Sequence, residues 1–177
     1  MYVLRLFSLA SSALIIFSCH PETNKNKDDQ LKNIDATLIK KQFIEANKQI
    51  VQKESDEMDY YAKAHQMSFV KTPAGIRYFV YKSSLKGDSI NDTSLVVLDY
   101  KVSLLDGTEC YNSQKEGQKS FVVGHADIEG GLQKALLYLK RGDKALILLP
   151  SHLAHGLLGD QKKIPPQMPI VYDIEVH

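Results

Sequence analysis

The stretch LVVLDYKVSLLDGT, residues 95–108, carries the clearest structural signal in the chain. Val96, Leu98, Tyr100, Val102 and Leu104 alternate with Asp99, Lys101 and Ser103, the period-two pattern of a strand with one buried face. Asp106-Gly107 then forms a tight turn, and Thr108 to Tyr111 starts an antiparallel partner. Upstream, Thr72 to Gly75 reads as a turn, Ile76 to Lys82 as a strand, and Lys86-Gly87-Asp88 as the next turn. Downstream, Phe121 to Gly124 is a short strand. Leu132 to Leu139 has helical spacing, with Leu132, Ala135, Leu136 and Leu139 on one face and Arg141-Gly142 closing it. Ala145 to Leu149 is a buried strand ended by Pro150, and Pro165-Pro166 leads into a last strand, Ile170 to Val176. Five or six strands with one central helix in about 110 residues make an α+β domain over residues 69–177, a sheet with its pocket near the helix start.

The N-terminal third is different material. Met1 to Ser18 contain one charged side chain, Arg5, and an apolar run from Leu6 to Phe17, too short for a comfortable membrane span of about 20 residues. This reads as an export signal over residues 1–18, because polar residues follow at once. Ser18-Cys19 at its end resembles the bacterial lipobox, which implies cleavage before Cys19 and a lipid-carrying thiol. Residues 19–34 are a polar tether, and residues 35–68 a helical arm. Within the arm, Leu38, Ile39, Phe43, Ala46 and Ile50 form an amphipathic stripe with Asp35 or Thr37 as N-cap, and a second helical stretch runs from Glu54 to His65. The stripe serves either dimerisation or packing against the C-terminal domain.

Composition excludes several classes of function. Of 177 residues, 22 are Lys or Arg and 21 are Asp or Glu, a net charge of +1 without the basic excess of a nucleic-acid binder. Two cysteines make neither a disulfide framework nor, by themselves, a zinc site, and a lipid on Cys19 leaves Cys110 unpartnered. His152 and His155, with Asp143 and Asp160, form a weak metal pattern outside any helix. Gly130-Gly131 lacks the spacing of a phosphate loop, and no Gly-x-Ser-x-Gly is present.

The order of motifs is more specific. Leu98-Asp99-Tyr100, Leu105-Asp106-Gly107-Thr108, Tyr111-Asn112-Ser113, Phe121-Val122-Val123-Gly124, Gly131-Leu132 and Lys140-Arg141-Gly142-Asp143-Lys144-Ala145 occur in sequence. Leu149-Pro150-Ser151-His152-Leu153-Ala154-His155-Gly156, Ile164-Pro165-Pro166 and Tyr172-Asp173-Ile174-Glu175-Val176 complete the series. Together they resemble the FKBP-type peptidyl-prolyl cis-trans isomerase domain along residues 70–177. The lipobox, the helical arm and His155 to Gln161 look like the gliding-motility-associated lipoprotein isomerases of Bacteroidota.

The resemblance implies an antiparallel half-barrel wrapped on one central helix. It implies a proline-isomerising function on unfolded or exported polypeptides, in the cell envelope and on a membrane through the lipid. It also implies a pocket formed by Tyr100, Tyr111, Phe121, Ile128, Leu132, His155, Ile164 and Tyr172, with no cofactor or metal. Residue by residue, Leu132 replaces the family's pocket tryptophan, Cys110-Tyr111 its Phe-Asp pair, and His155 its loop tyrosine. Glu129 replaces an apolar residue, and a strict count puts Lys119 rather than Phe121 at an aromatic position. These departures point toward weaker turnover and poorer binding of rapamycin-type macrocycles. They also keep open an alternative, a lipid-anchored chaperone or binding module.

Overall fold

The computed structural model describes residues 36–177. The signal segment, Cys19, the tether and Asp35 lie outside the described residues. The chain falls into two compact units, Met1–Lys40 and Lys41–His177; of the first, only the opening turns of one helix are described. That helix, α1, runs unbroken from Ala36–Ala64. It joins the two helical stretches expected separately, and it places Thr37 inside the first turn rather than at the cap. Nothing between the stretches breaks the helix: Ile50 to Glu54 contain no Gly or Pro. No helix among the described residues is long and apolar enough to cross a membrane.

Seven strands follow: β1 (Val70–Lys71), β2 (Arg77–Lys82), β3 (Leu95–Leu104), β4 (Glu109–Asn112), β5 (Lys119–Val122), β6 (Lys144–Leu149) and β7 (Ile170–Val176). Short helices α2 (Ser113–Glu116) and α3 (Gly130–Leu136) interrupt them, and 3-10 turns span Ser151–Leu153 and Gly156–Leu158. All pairings are antiparallel, in the order β1-β2-β6-β7-β3-β4, with β5 also on β3. The long β3 pairs with β7 along one edge, while β5 takes Leu95 to Leu98 and β4 takes Lys101 to Ser103 of the other. The expected alternation holds: Val96, Leu98, Tyr100, Val102 and Leu104 are all buried.

Four details differ from expectation. The sheet gains the two-residue β1, and β5 begins at Lys119 rather than Phe121. The helix α3 ends at Leu136, so Arg141-Gly142 does not cap it. Gly142, with φ +82, instead turns the chain into β6 and donates its N–H to the Val176 carbonyl at 2.7 Å. Ser113–Glu116 forms a helical turn because Asn112 caps it, its side chain accepting from Gln114 N at 2.9 Å.

The sheet is covered on both faces. Leu132, Ala135 and Leu136 of α3 pack into one core with β3, Ile147 and Leu149 of β6, and Tyr172 and Ile174 of β7. On the other face Met58 of α1 packs with Leu148 and Val171, flanked by Tyr61, Phe69, Leu105 and Leu146. This explains the uninterrupted apolar run of β6, since alternate residues serve opposite faces. Two buried polar groups tie α1 to the domain. Glu54, 2% exposed, accepts from Ser151 N at 2.7 Å and from Ser151 Oγ. The guanidinium of Arg77, 1% exposed, donates to Asp59 at 2.6 Å and to the Ser55 carbonyl and hydroxyl at 2.9 Å.

Candidate active site

The residue before α3, the strands β3, β4 and β5, the end of α2 and the loop after β6 converge on a cavity of about 290 Å³. It is lined by Tyr100, Tyr111, Glu116, Lys119, Glu129, His155, Asp160 and Lys162. Tyr100 and Tyr172 come together because β3 and β7 pair with Tyr100 opposite Ile174 and Val102 opposite Tyr172. The two tyrosines are therefore diagonal neighbours on one face. Their rings lie 6.5 Å apart at 52°.

The expected residues separate into groups. Tyr100, Tyr111 and His155 line the cavity. Tyr172, Leu132 and Ile164 are buried in the core, at 0%, 0% and 2% exposure. Ile128 and Phe121 pack against that core partly buried. Phe121 is not among the lining residues. Lys119, two positions earlier on the same face of β5, lines the cavity instead. Cys110 is buried, its Sγ 3.7 Å from the carbonyls of Thr108 and Lys163, and burial pushes its thiol pKa up. That is the setting of an inert thiol rather than a nucleophile.

The expected departures at Glu129, His155 and Lys119 meet in one polar network. The carboxylate of Glu129 receives the Tyr172 hydroxyl at 2.7 Å. His155 Nε2 lies 3.2 Å from the same oxygen, and Lys119 Nζ lies 3.9 Å from the other. The Lys119 ammonium also sits 4.8 Å from the Tyr100 ring centroid and 5.7 Å from that of Tyr172. Tyr111 donates to Asp160, whose other oxygen accepts the backbone N–H groups of Lys162, Lys163 and Ile164 at 2.8 to 3.0 Å. Burial opposes the charge on Asp160, but these four donors outweigh it and lower its pKa to about 2. The Tyr111 hydroxyl is raised to about 12, first by its bond to Asp160 and then by burial. Burial raises Tyr172 well above 10, with the Glu129 charge adding to it; burial and then Glu116 raise Tyr100. All three tyrosines are thus protonated donors at neutral pH.

Sequence reading missed Glu116, Asp160 and Lys162 as lining groups. For Asp160 a signal existed: Gly159-Asp160 followed by three residues whose amides turn back on the carboxylate is an Asx-type turn. The candidate metal pattern is dispersed among other tasks. Asp143 accepts from Ser84 N and Lys140 N, His155 faces Glu129, and His152 is exposed. The described group best arranged to offer three ligand atoms is Asp99, Glu175 and His177, where Glu175 already pairs with Lys144.

The sequence pattern of FKBP-type peptidyl-prolyl cis-trans isomerases matches residues 87–177, just over half of the chain. The chain belongs to the FKBP-type family. FkpA of Escherichia coli K12 is 29% identical over 151 residues, which are 84% of this chain and 54% of FkpA. The macrophage infectivity potentiator of Trypanosoma cruzi is 30% identical over 116 residues, 64% of this chain and 58% of its own length. The FKBP-type chain thus spans about half the length of the curated relatives it matches. The crystal structure of Escherichia coli FkpA superposes with a TM-score of 0.61 at 26% identity, covering 87% of this chain and 71% of that one. A peptidyl-prolyl cis-trans isomerase from Pseudomonas syringae pv. tomato gives 0.61 at 22% identity, covering 73% and 92%, and supports the fold.

Proposed function

We propose that this FKBP-type chain is a peptidyl-prolyl cis-trans isomerase acting on proline-containing polypeptides in the cell envelope. The observation that carries the reading is the cavity lined by the Tyr100 and Tyr111 rings, with Tyr172 buried behind Tyr100 at 6.5 Å between ring centroids and in one core with Leu132 and Ile164. An X-Pro bond turns over in tens of seconds unaided, because amide resonance sets a barrier of about 20 kcal/mol. The twisted transition state has lost much of that resonance, and its carbonyl is less polar. A site that holds the proline ring on aromatic surface while withdrawing the amide from water favours the twisted form. In this reading His155, which lines the cavity, donates to a substrate carbonyl, with the Glu129 amide as a second, backbone donor.

A second reading has its own observation. Lys119 and Glu129 put charge where the reaction favours apolar surface, which suits an FKBP-fold binding module with little turnover. A proline-peptide isomerisation assay on residues 20–177 separates the two. Acceleration over the uncatalysed rate is expected. No acceleration, with binding of unfolded protein retained, would favour the module.

The envelope placement rests on the lipobox and on Cys19 as the lipid site; service to gliding motility rests on the sequence resemblance. Cys19→Ser should abolish palmitate labelling and release the protein to the soluble fraction. Persistent membrane attachment would overturn the anchor. Phe43, Ile44 and Val51, exposed on α1 at 67%, 46% and 45%, support self-association through the arm. Phe43→Asp should then yield a monomer in sedimentation.

A further inference from the structure

A second concavity, larger than the candidate active site, lies on the other side of the sheet. The last turns of α1, the β3–β4 turn and the Met168-Pro169 lead into β7 enclose a groove of about 700 Å³, within the range of about 300–1,000 Å³ typical of ligand sites. Its apolar lining includes Tyr60, Leu105 and Met168, with Tyr60 75% and Met168 39% exposed. A ligand seated there would remove apolar area from water.

Its rim has one sign of charge. Asp56, Glu57 and Asp106 line it, and no Lys or Arg does. His65 is the one other titratable side chain there besides Tyr60 and Tyr61, and its ring stacks on Tyr61 with centroids 4.0 Å apart. Asp56 accepts from Gln52. Glu57 meets Lys53 at 3.7 Å, but both side chains are well exposed, so the pair leaves most of the field in place. The Asp106 carboxyl is held below its ordinary range by the Thr108 amide and stays ionised.

An anionic bilayer would be repelled by this rim. A second copy docking groove to groove about a two-fold axis would set six carboxylates against one another. We propose that the groove binds a polypeptide segment whose apolar residues are flanked by lysine or arginine, at a site separate from the isomerase cavity. The inference does not depend on turnover at that cavity.

The test uses the full chain and two fluorescein-labelled, proline-free peptides. They share a leucine–alanine core and carry lysines or glutamates at both ends. Anisotropy should show the lysine-flanked peptide binding about tenfold more tightly, as expected for two or three surface charge pairs. Asp56→Lys combined with Glu57→Lys should reverse that order, and Tyr60→Ala should weaken both peptides. All three positions are exposed or half-exposed on α1, so the thermal melt and the rate on a short proline peptide should not change. Equal binding of the two peptides, indifference to Tyr60→Ala, or a dimer that Tyr60→Ala dissociates would each overturn the proposal.

Discussion

Glu129 is the residue on which the candidate site turns. A carboxylate at 10% side-chain exposure is costly unless it is met by donors, and here Tyr172, His155 and Lys119 meet it. Those donors are drawn from a strand, a loop and another strand, so the polar network also holds the cavity walls in place. Lys119 pays its desolvation partly against two aromatic faces. Lys119→Phe should therefore raise turnover on peptides with an apolar residue before proline, by about threefold to tenfold in kcat/KM. An unchanged or lower rate would show that the apolar wall does not limit this site. Asp160 supports a prediction with pH. Its pKa is depressed in the fold to about 2, below the unfolded value near 3.9. Its contribution to stability is thus full above about pH 4 and is lost as pH falls toward about 2. Melts across that window should fall in temperature, and Asp160→Asn should flatten part of the dependence. The tyrosines and His155 were legible in the sequence by their order among motifs. The motif order also put Glu129 and Lys119 at pocket positions, but it did not give the contacts that join them to Tyr172 and His155, which depend on how β5, β7 and the loop after β6 pack.

Among the elements, α1 is the one whose role the sequence left open. Its apolar residues are too sparse to choose between a free arm and a docked helix. The structure divides the helix: Phe43, Ile44 and Val51 are exposed, whereas Glu54 and Met58 are buried. Docking is specified by polar groups as much as by Met58. Glu54 holds the backbone N–H of Ser151 at the head of the loop that carries His155. Glu54→Ala leaves that donor buried and unpaired, a loss of about 1–3 kcal/mol. The melting temperature should drop by roughly 3–10 °C. A variant that melts with the parent would mean that water or a neighbouring group replaces the carboxylate at no cost. The strands were read more securely, because a period of two in β3 and a doubly apolar β6 each have one physical interpretation. The ends of β5 and α3 were misplaced by two or three residues. There the boundaries depend on pairing with β3 and on Gly142, not on local propensity.

For the whole molecule, the domain boundary expected at residue 69 separates groups that the fold uses together. Arg77 of β2 is 1% exposed and reaches Asp59 and Ser55 of α1. A chain begun at Lys41 keeps these contacts and should melt cooperatively. A chain begun at residue 69 loses the packing of Met58, worth about 2–5 kcal/mol, and strands the Arg77 guanidinium. It should be destabilised or insoluble. Equal melting of the two chains would show that the docked half of α1 is dispensable.

By itself the sequence determined the order and type of the strands β2 to β7, the central helix and the family, because periodicity, turn chemistry and motif order are local properties of the chain. Only the tertiary structure decided which residues meet. The β3–β7 register sets Tyr100 beside Tyr172, Lys119 of β5 comes within 3.9 Å of Glu129, and the buried Glu54–Ser151 contact joins α1 to the loop of His155. These are distances between residues far apart in the chain. They follow from packing, which no local pattern encodes.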